Sequence, residues 1–201
     1  MTRKVRFGLK NSKYALFDAT TGQYGEVKDL PWAVQLSLST EGGDSSDFYA
    51  DDGICFTFPA TNGGYSGNLE LSNIPDSVRA DLLGEVADQA TGMQFEVTGA
   101  EPPQFALITE MQTDEGPIAF TFYNVKASRP ELTANTKGDN PSVDTETLPI
   151  RIASQDFGTG ADKKSYVQGH IQKTSENATE YAAVFTAVKI PGESGESGLS
   201  A

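Results

Sequence analysis

Few side chains in this sequence could do chemistry. His170 is the single histidine and Cys55 the single cysteine, so one of each falls short of a tetrahedral metal set. His170 sits in a polar Gly-His-Ile segment with no nucleophile motif near it. A base without a nucleophile and an orienting group makes no triad. Asp51-Asp52-Gly53 is the most site-like acidic cluster. Neighbours on extended backbone point to opposite faces, which suits neither a carboxylate pair across a sugar nor the alternating ligands of an EF-hand loop. These acids read as loop or interface residues. Cys55, with no adjacent His or Lys, reads as a small core or interface residue. GxSxG, Walker and GxGxxG motifs are absent. The expectation is a protein that is not an enzyme and takes no metal and no cofactor.

The elements that would position any site are mostly strands. Residues 62–88 organise the chain: an Asn62-Gly63-Gly64 turn, an alternating strand from Tyr65 to Leu71, then an amphipathic helix over about 75–88. Pro75 and Asp76 suit its first turn. Val78, Leu82, Leu83 and Val86 form its apolar stripe, and Arg79, Asp81, Glu85 and Asp88 take the other side. Period-two alternation predicts further strands at 32–38, 54–58, 93–97, 104–111, 118–125, 145–153 and 181–190. In AFTFYNV, Phe120 and Phe122 share one face, with Ala119, Thr121 and Tyr123 on the other. The fold class expected is mainly β: two packed sheets forming a sandwich or barrel, with one flanking helix.

The 201 residues suit one domain over 1–190, in which residues 1–17 read as a first strand or arm, the arm at about 1–13. Residues 191–201 read as a disordered low-complexity tail. The basic N-terminus lacks the apolar run and cleavage site of a signal peptide. Together with the lone cysteine, this predicts synthesis in a reducing cytoplasm. The span 39–64 is long for a loop. Its embedded aromatic pair Phe48-Tyr49 favours function over disorder.

Charge is distributed unevenly. The net charge is −13, and residues 29–125 hold sixteen acids against one base, Arg79. Such a span offers no stripe for phosphate, which disfavours specific nucleic-acid binding. It fits either a solvated acidic surface or one that lets a polyanion pass without sticking.

An ordered series of short blocks resembles one family. They are Phe7-Gly8-Leu9-Lys10-Asn11 with Tyr14-Ala15, then Pro31 with Val34-x-Leu36-x-Leu38, then Glu41-Gly42. Phe48-Tyr49-Ala50-Asp51 follows, then Asn62-Gly63-Gly64-Tyr65-Ser66-Gly67 with Leu69-Glu70-Leu71. Ile74-Pro75-Asp76, Arg79, Leu83-Gly84-Glu85, Phe105-Ala106-Leu107, Tyr123-Asn124, Arg129-Pro130 and Glu146-Thr147 complete the set. Over about residues 4–150 the chain resembles the major tail protein of long-tailed, non-contractile (siphovirus) bacteriophages, the tail tube subunit.

The resemblance implies a fold shared with the type VI secretion tube protein. It implies homohexameric rings stacked into a tube around a tape-measure protein, with tail-tip and tail-terminator proteins at the ends. Double-stranded DNA would pass through the acidic lumen without specific binding, and no membrane partner is expected. The protein would reside in the virion after synthesis in the bacterial host. The loop over about 39–64 resembles the segment that reaches between rings. Phe48 and Tyr49 would then bury on a neighbour, with Asp51 pairing a base such as Arg3, Lys4 or Arg6 of the N-terminal arm (Lys10 and Lys13 also lie there). The competing expectation is that Phe48 and Tyr49 fold back on their own domain. The competing function is an acidic β-sandwich binding module for carbohydrate or another surface ligand. It needs an exposed aromatic platform, whereas Trp32, at the head of a strand, is placed for packing.

Overall fold

The computed structural model describes residues 5–136, 144–158 and 163–192. Of the described residues 49% are strand and 8% helix, which fixes the mainly β class expected from the alternation. The first half runs β1 (Arg6–Asp18), β2 (Gln23–Tyr24), β3 (Lys28–Asp29), β4 (Ala33–Glu41), β5 (Ser46–Ala50), β6 (Gly53–Phe58) and β7 (Gly64–Leu71). Helix α1 (Asp76–Leu83) follows, then β8 (Val86–Ala87), β9 (Gln94–Phe95), β10 (Phe105–Thr113) and β11 (Ile118–Ala127). The remainder is β12 (Glu146–Ala153), β13 (Gln155–Phe157), β14 (Lys164–Tyr166), β15 (Gln168–Gln172) and α2 (Ala178–Ala183).

One large antiparallel sheet has the order β2-β1-β10-β11-β12-β7-β4, with β3 added to β1 and β15 to β11. It forks at β11. Ile118–Phe122 pairs with β15 and Asn124–Ala127 with β12 along the same edge. The sheet curls, so that Leu36 and Leu38 of β4 and Tyr65 of β7 share an apolar cluster with Phe120 and Phe122 of β11. Its centre holds Tyr14, Leu69, Leu71, Phe105, Leu107, Leu148 and Ile152, all essentially inaccessible. Phe120 and Phe122 stack with centroids 6.4 Å apart, on one face as the alternation requires.

The helices depart from the sequence reading. The expected helix over 75–88 is shorter, because Gly84 adopts a left-handed conformation (φ 73°) and its N–H bonds back to Ala80. Pro75 is the N-cap residue, with extended backbone, rather than a first-turn residue. Val78 and Leu82 are buried as the stripe predicts, but Val86 has left the helix and pairs with Phe95 in the β8–β9 ribbon. The polar side of α1 is a clamp. Asp81 accepts bonds from the Tyr14 hydroxyl (2.7 Å) and Lys28 (2.6 Å), and Arg79 pairs with Glu146 (2.5 Å) and Glu85 (3.5 Å).

The strand expected at 181–190 does not form: helix α2 ends at Ala183, and turns follow it through Thr186. Tyr181, Val184, Phe185 and Val188 recur at helical spacing and pack over Ile108 and Ala119 on the outer face of the sheet. That explains why β10 is buried on both faces. The polar stretch before α2 is structured too, holding β13, β14 and β15. The expected arm at 1–13 is, from Arg6 onward, the first half of β1 paired with β10. Residues 1–4, and residues 193–201 of the expected tail, lie outside the described residues.

Candidate interaction surface

The span 39–64 is a β-ribbon rather than a loop. Strands β5 and β6 pair antiparallel, with Phe48 opposite Phe56 and Tyr49 opposite Ile54, across a register shift beside Cys55. Asp51 and Asp52 are the two turn residues, with φ of 49° and 61°. Two successive left-handed residues make the tight turn whose twist suits a two-residue hairpin, and acids tolerate that conformation. This gives the Asp51-Asp52-Gly53 cluster a structural job. It does not form a metal cage: among the described residues no three His, Cys, Asp or Glu side chains converge for an ion.

The ribbon's neck is tight. Gly63 N–H donates to Glu41 O (2.7 Å) and Thr61 N–H to Gly43 O (3.0 Å), continuing the β4–β7 pairing outward. A Cβ on Gly64 (φ 96°) would lie 2.0 Å from Ile152 O, and one on Gly42 would lie 1.9 Å from Thr61 O. Only glycine lets the backbones approach this closely.

Beyond the neck the ribbon is uncovered. Phe48, Tyr49, Ile54, Phe56 and Phe58 are 57%, 63%, 59%, 54% and 54% exposed. Phe56 and Phe58 meet edge-to-face at 4.9 Å. Cys55 is exposed too, which removes the core reading for it. Within one copy, Phe48 and Tyr49 therefore do not fold back onto the domain. An exposed apolar set of this kind is the chain's candidate contact surface. Smaller exposed apolar groups lie at Val5, Phe7 and Val34, and at Val86, Met93, Phe95 and Val97.

Of the basic residues singled out with the ribbon, Arg3 and Lys4 lie outside the described residues. Arg6 opens β1 and holds its guanidinium 5.9 Å from the Phe120 ring centroid. It is exposed, and among the described residues no carboxylate forms an ion pair with it. Lys10 pairs with Glu110 at 3.4 Å, and Lys13 pairs with Asp29. Among the described residues Arg6 thus remains the open cation on β1.

Arg6 also lines a cleft of about 810 Å³, where the two halves of the curled sheet diverge. Leu36, Leu38 and Tyr65 form one wall, and Phe120 and His170 belong to the other. His170 stacks on Phe120 at 5.6 Å. Among the described residues no acid lines this cleft. Trp32 corrects another expectation: it is 64% exposed with φ 61°, displayed on a turn rather than packed.

No family model matches the chain. No curated protein matches it either.

Proposed function

We propose that this chain is the structural subunit of a self-assembling tube, acting as a phage major tail protein does. The observation that carries the reading is the β5–β6 ribbon, which holds five large apolar side chains in water beyond a finished sheet. A monomer gains nothing from such a projection, whereas a polymer buries it in every copy. The resembling blocks support the reading by where they fall. Glu41-Gly42 and Asn62-Gly63-Gly64 form the ribbon's neck, and Phe48-Tyr49-Ala50-Asp51 forms its outer strand and turn. In the proposed tube, hexameric rings stack around a tape-measure protein, and tail-tip and terminator proteins close the ends. The acidic span lets DNA pass without holding it.

Sedimentation velocity over a concentration series tests this. Self-assembly predicts large species that grow with concentration at the expense of the 21.5 kDa monomer. A boundary that stays monomeric throughout, even with a tail-tip initiator added, overturns it. Exposed Trp32 favours a second reading, an acidic β-sandwich that binds carbohydrate through an aromatic face. Saturable glycan binding by the monomer, abolished by Trp32→Ala, would support that reading instead.

A further inference from the structure

We propose that the cleft between the β4–β7 and β11–β15 walls is the socket for the β5–β6 ribbon of a second copy. The inference rests on the self-assembly reading and names the receiving surface that it leaves open.

Three observations converge. The first is chemical. The ribbon presents Phe48, Tyr49, Ile54, Phe56 and Phe58, and the cleft presents Leu36, Leu38, Tyr65 and Phe120, so apolar surface meets apolar surface. The second is charge. Residues 44–58 carry four acids and no base, whereas among the described residues the cleft contains Arg6 and His170 and no acid. Arg6 pairs with no carboxylate of its own copy among the described residues, so an incoming Asp47 or Asp51 would meet an available guanidinium. The third is strand pairing. Among the described residues β4 pairs with β7 alone and β15 with β11 alone, so both cleft walls end in strand edges that a neighbour can cover.

Geometry directs the ribbon outward. Leu38 and Tyr65 sit at its foot, on β4 and β7, and the neck hydrogen bonds extend it beyond them. Five residues of strand reach about 17 Å. Ribbon and socket are different surfaces, so their contact is head-to-tail and repeats from copy to copy. The β8–β9 ribbon is the other apolar projection. Its Glu96 already pairs with Arg129 of its own copy, which makes it the weaker match to Arg6.

Cys55, exposed and the only cysteine, makes the contact testable in the full-length chain. Leu38→Cys and His170→Cys place a second thiol on each cleft wall, and Thr20→Cys places one on the remote β1–β2 turn. Under mild oxidation the cleft variants should give a ladder of disulfide-linked multimers, at least about tenfold stronger than Thr20→Cys, since pairing needs Cα atoms within about 7 Å. Adding Cys55→Ser should abolish the ladder. Large assemblies with no cleft-specific ladder overturn the socket and leave self-assembly standing. A disulfide formed within the monomer also overturns it, because the ribbon then occupies its own cleft. Absence of any assembly in the unmodified chain overturns both. Leu38→Glu supplies a thiol-free check. It should keep the wild-type circular dichroism and raise the concentration needed for assembly about tenfold, a change of about 1.4 kcal/mol. Unchanged assembly by this folded variant counts against the socket.

Discussion

Phe48 lies directly opposite Phe56 on a two-stranded ribbon, and both rings are more than half exposed. Substitutions at such positions touch little of the fold, so their stability effect should stay within about 0.5 kcal/mol. The Phe48→Ser/Tyr49→Ser variant should therefore melt within about 2–4 °C of wild type. Its assembly should be lost. Loss of cooperative folding would mean that these rings are buried in their own domain.

The neck glycines predict the opposite pattern. Gly64→Ala forces a Cβ to within 2.0 Å of Ile152 O at a left-handed φ. The cost expected is roughly 2–4 kcal/mol, read as a large drop in the denaturant midpoint. Assembly should fail because the base of the ribbon no longer forms. A Gly64→Ala protein of wild-type stability would contradict the neck geometry.

The Tyr14–Asp81–Lys28 clamp predicts acid sensitivity. Burial pushes the Asp81 carboxyl up, but bonds from Lys28 and Tyr14, with the Lys28 charge, hold it below the usual range. Asp18, Asp88 and Asp156 are also lowered, chiefly by hydrogen bonds from Thr20, Thr91 and Lys163 respectively. A carboxyl with a depressed folded pKa stabilises the fold above its unfolded value of about 3.9. That contribution disappears as pH falls through the folded pKa. Stability should thus be flat above about pH 5 and fall steeply below about pH 4. Asp81→Asn should lower stability at neutral pH and flatten the acid limb. Tyr14→Phe should cost about 1 kcal/mol at neutral pH.

Charge predicts the salt response of assembly. Copies carrying −13 each repel as they approach, and salt shortens the Debye length from about 10 Å at 0.1 M to about 3 Å at 1 M. Apolar docking is not weakened by this screening. Assembly should therefore begin at lower protein concentration in high salt, as followed by light scattering. Dissociation by salt would indicate that ion pairs, rather than the aromatic ribbon, hold the copies together.

Much of this was legible in the sequence wherever one face of an element is buried. The alternation of Phe120 and Phe122 against Ala119 and Thr121 located β11 and its two faces, and Val78 and Leu82 located α1. The helix overran because Gly84 ends it sooner than the apolar stripe suggests. Tyr181, Val184, Phe185 and Val188 carry a helical period, but the short apolar run 181–185 also fits a buried strand. Half of the ribbon reads as loop because Asp-Asp-Gly between two aromatic runs looks like acid chemistry, whereas it is turn chemistry. Exposure was the least legible property. Nothing in the pattern separates Phe48, Trp32 or Cys55 from residues that pack inward, since a surface meant for another copy has the composition of a core.

Electron microscopy of the concentrated full-length protein tests the central claim most directly. The account predicts rings or tubes with an open axial channel, present in the wild type and absent in Phe48→Ser/Tyr49→Ser. Monodisperse single particles of the wild-type chain at high concentration and high salt, unchanged by a tail-tip initiator, would contradict it.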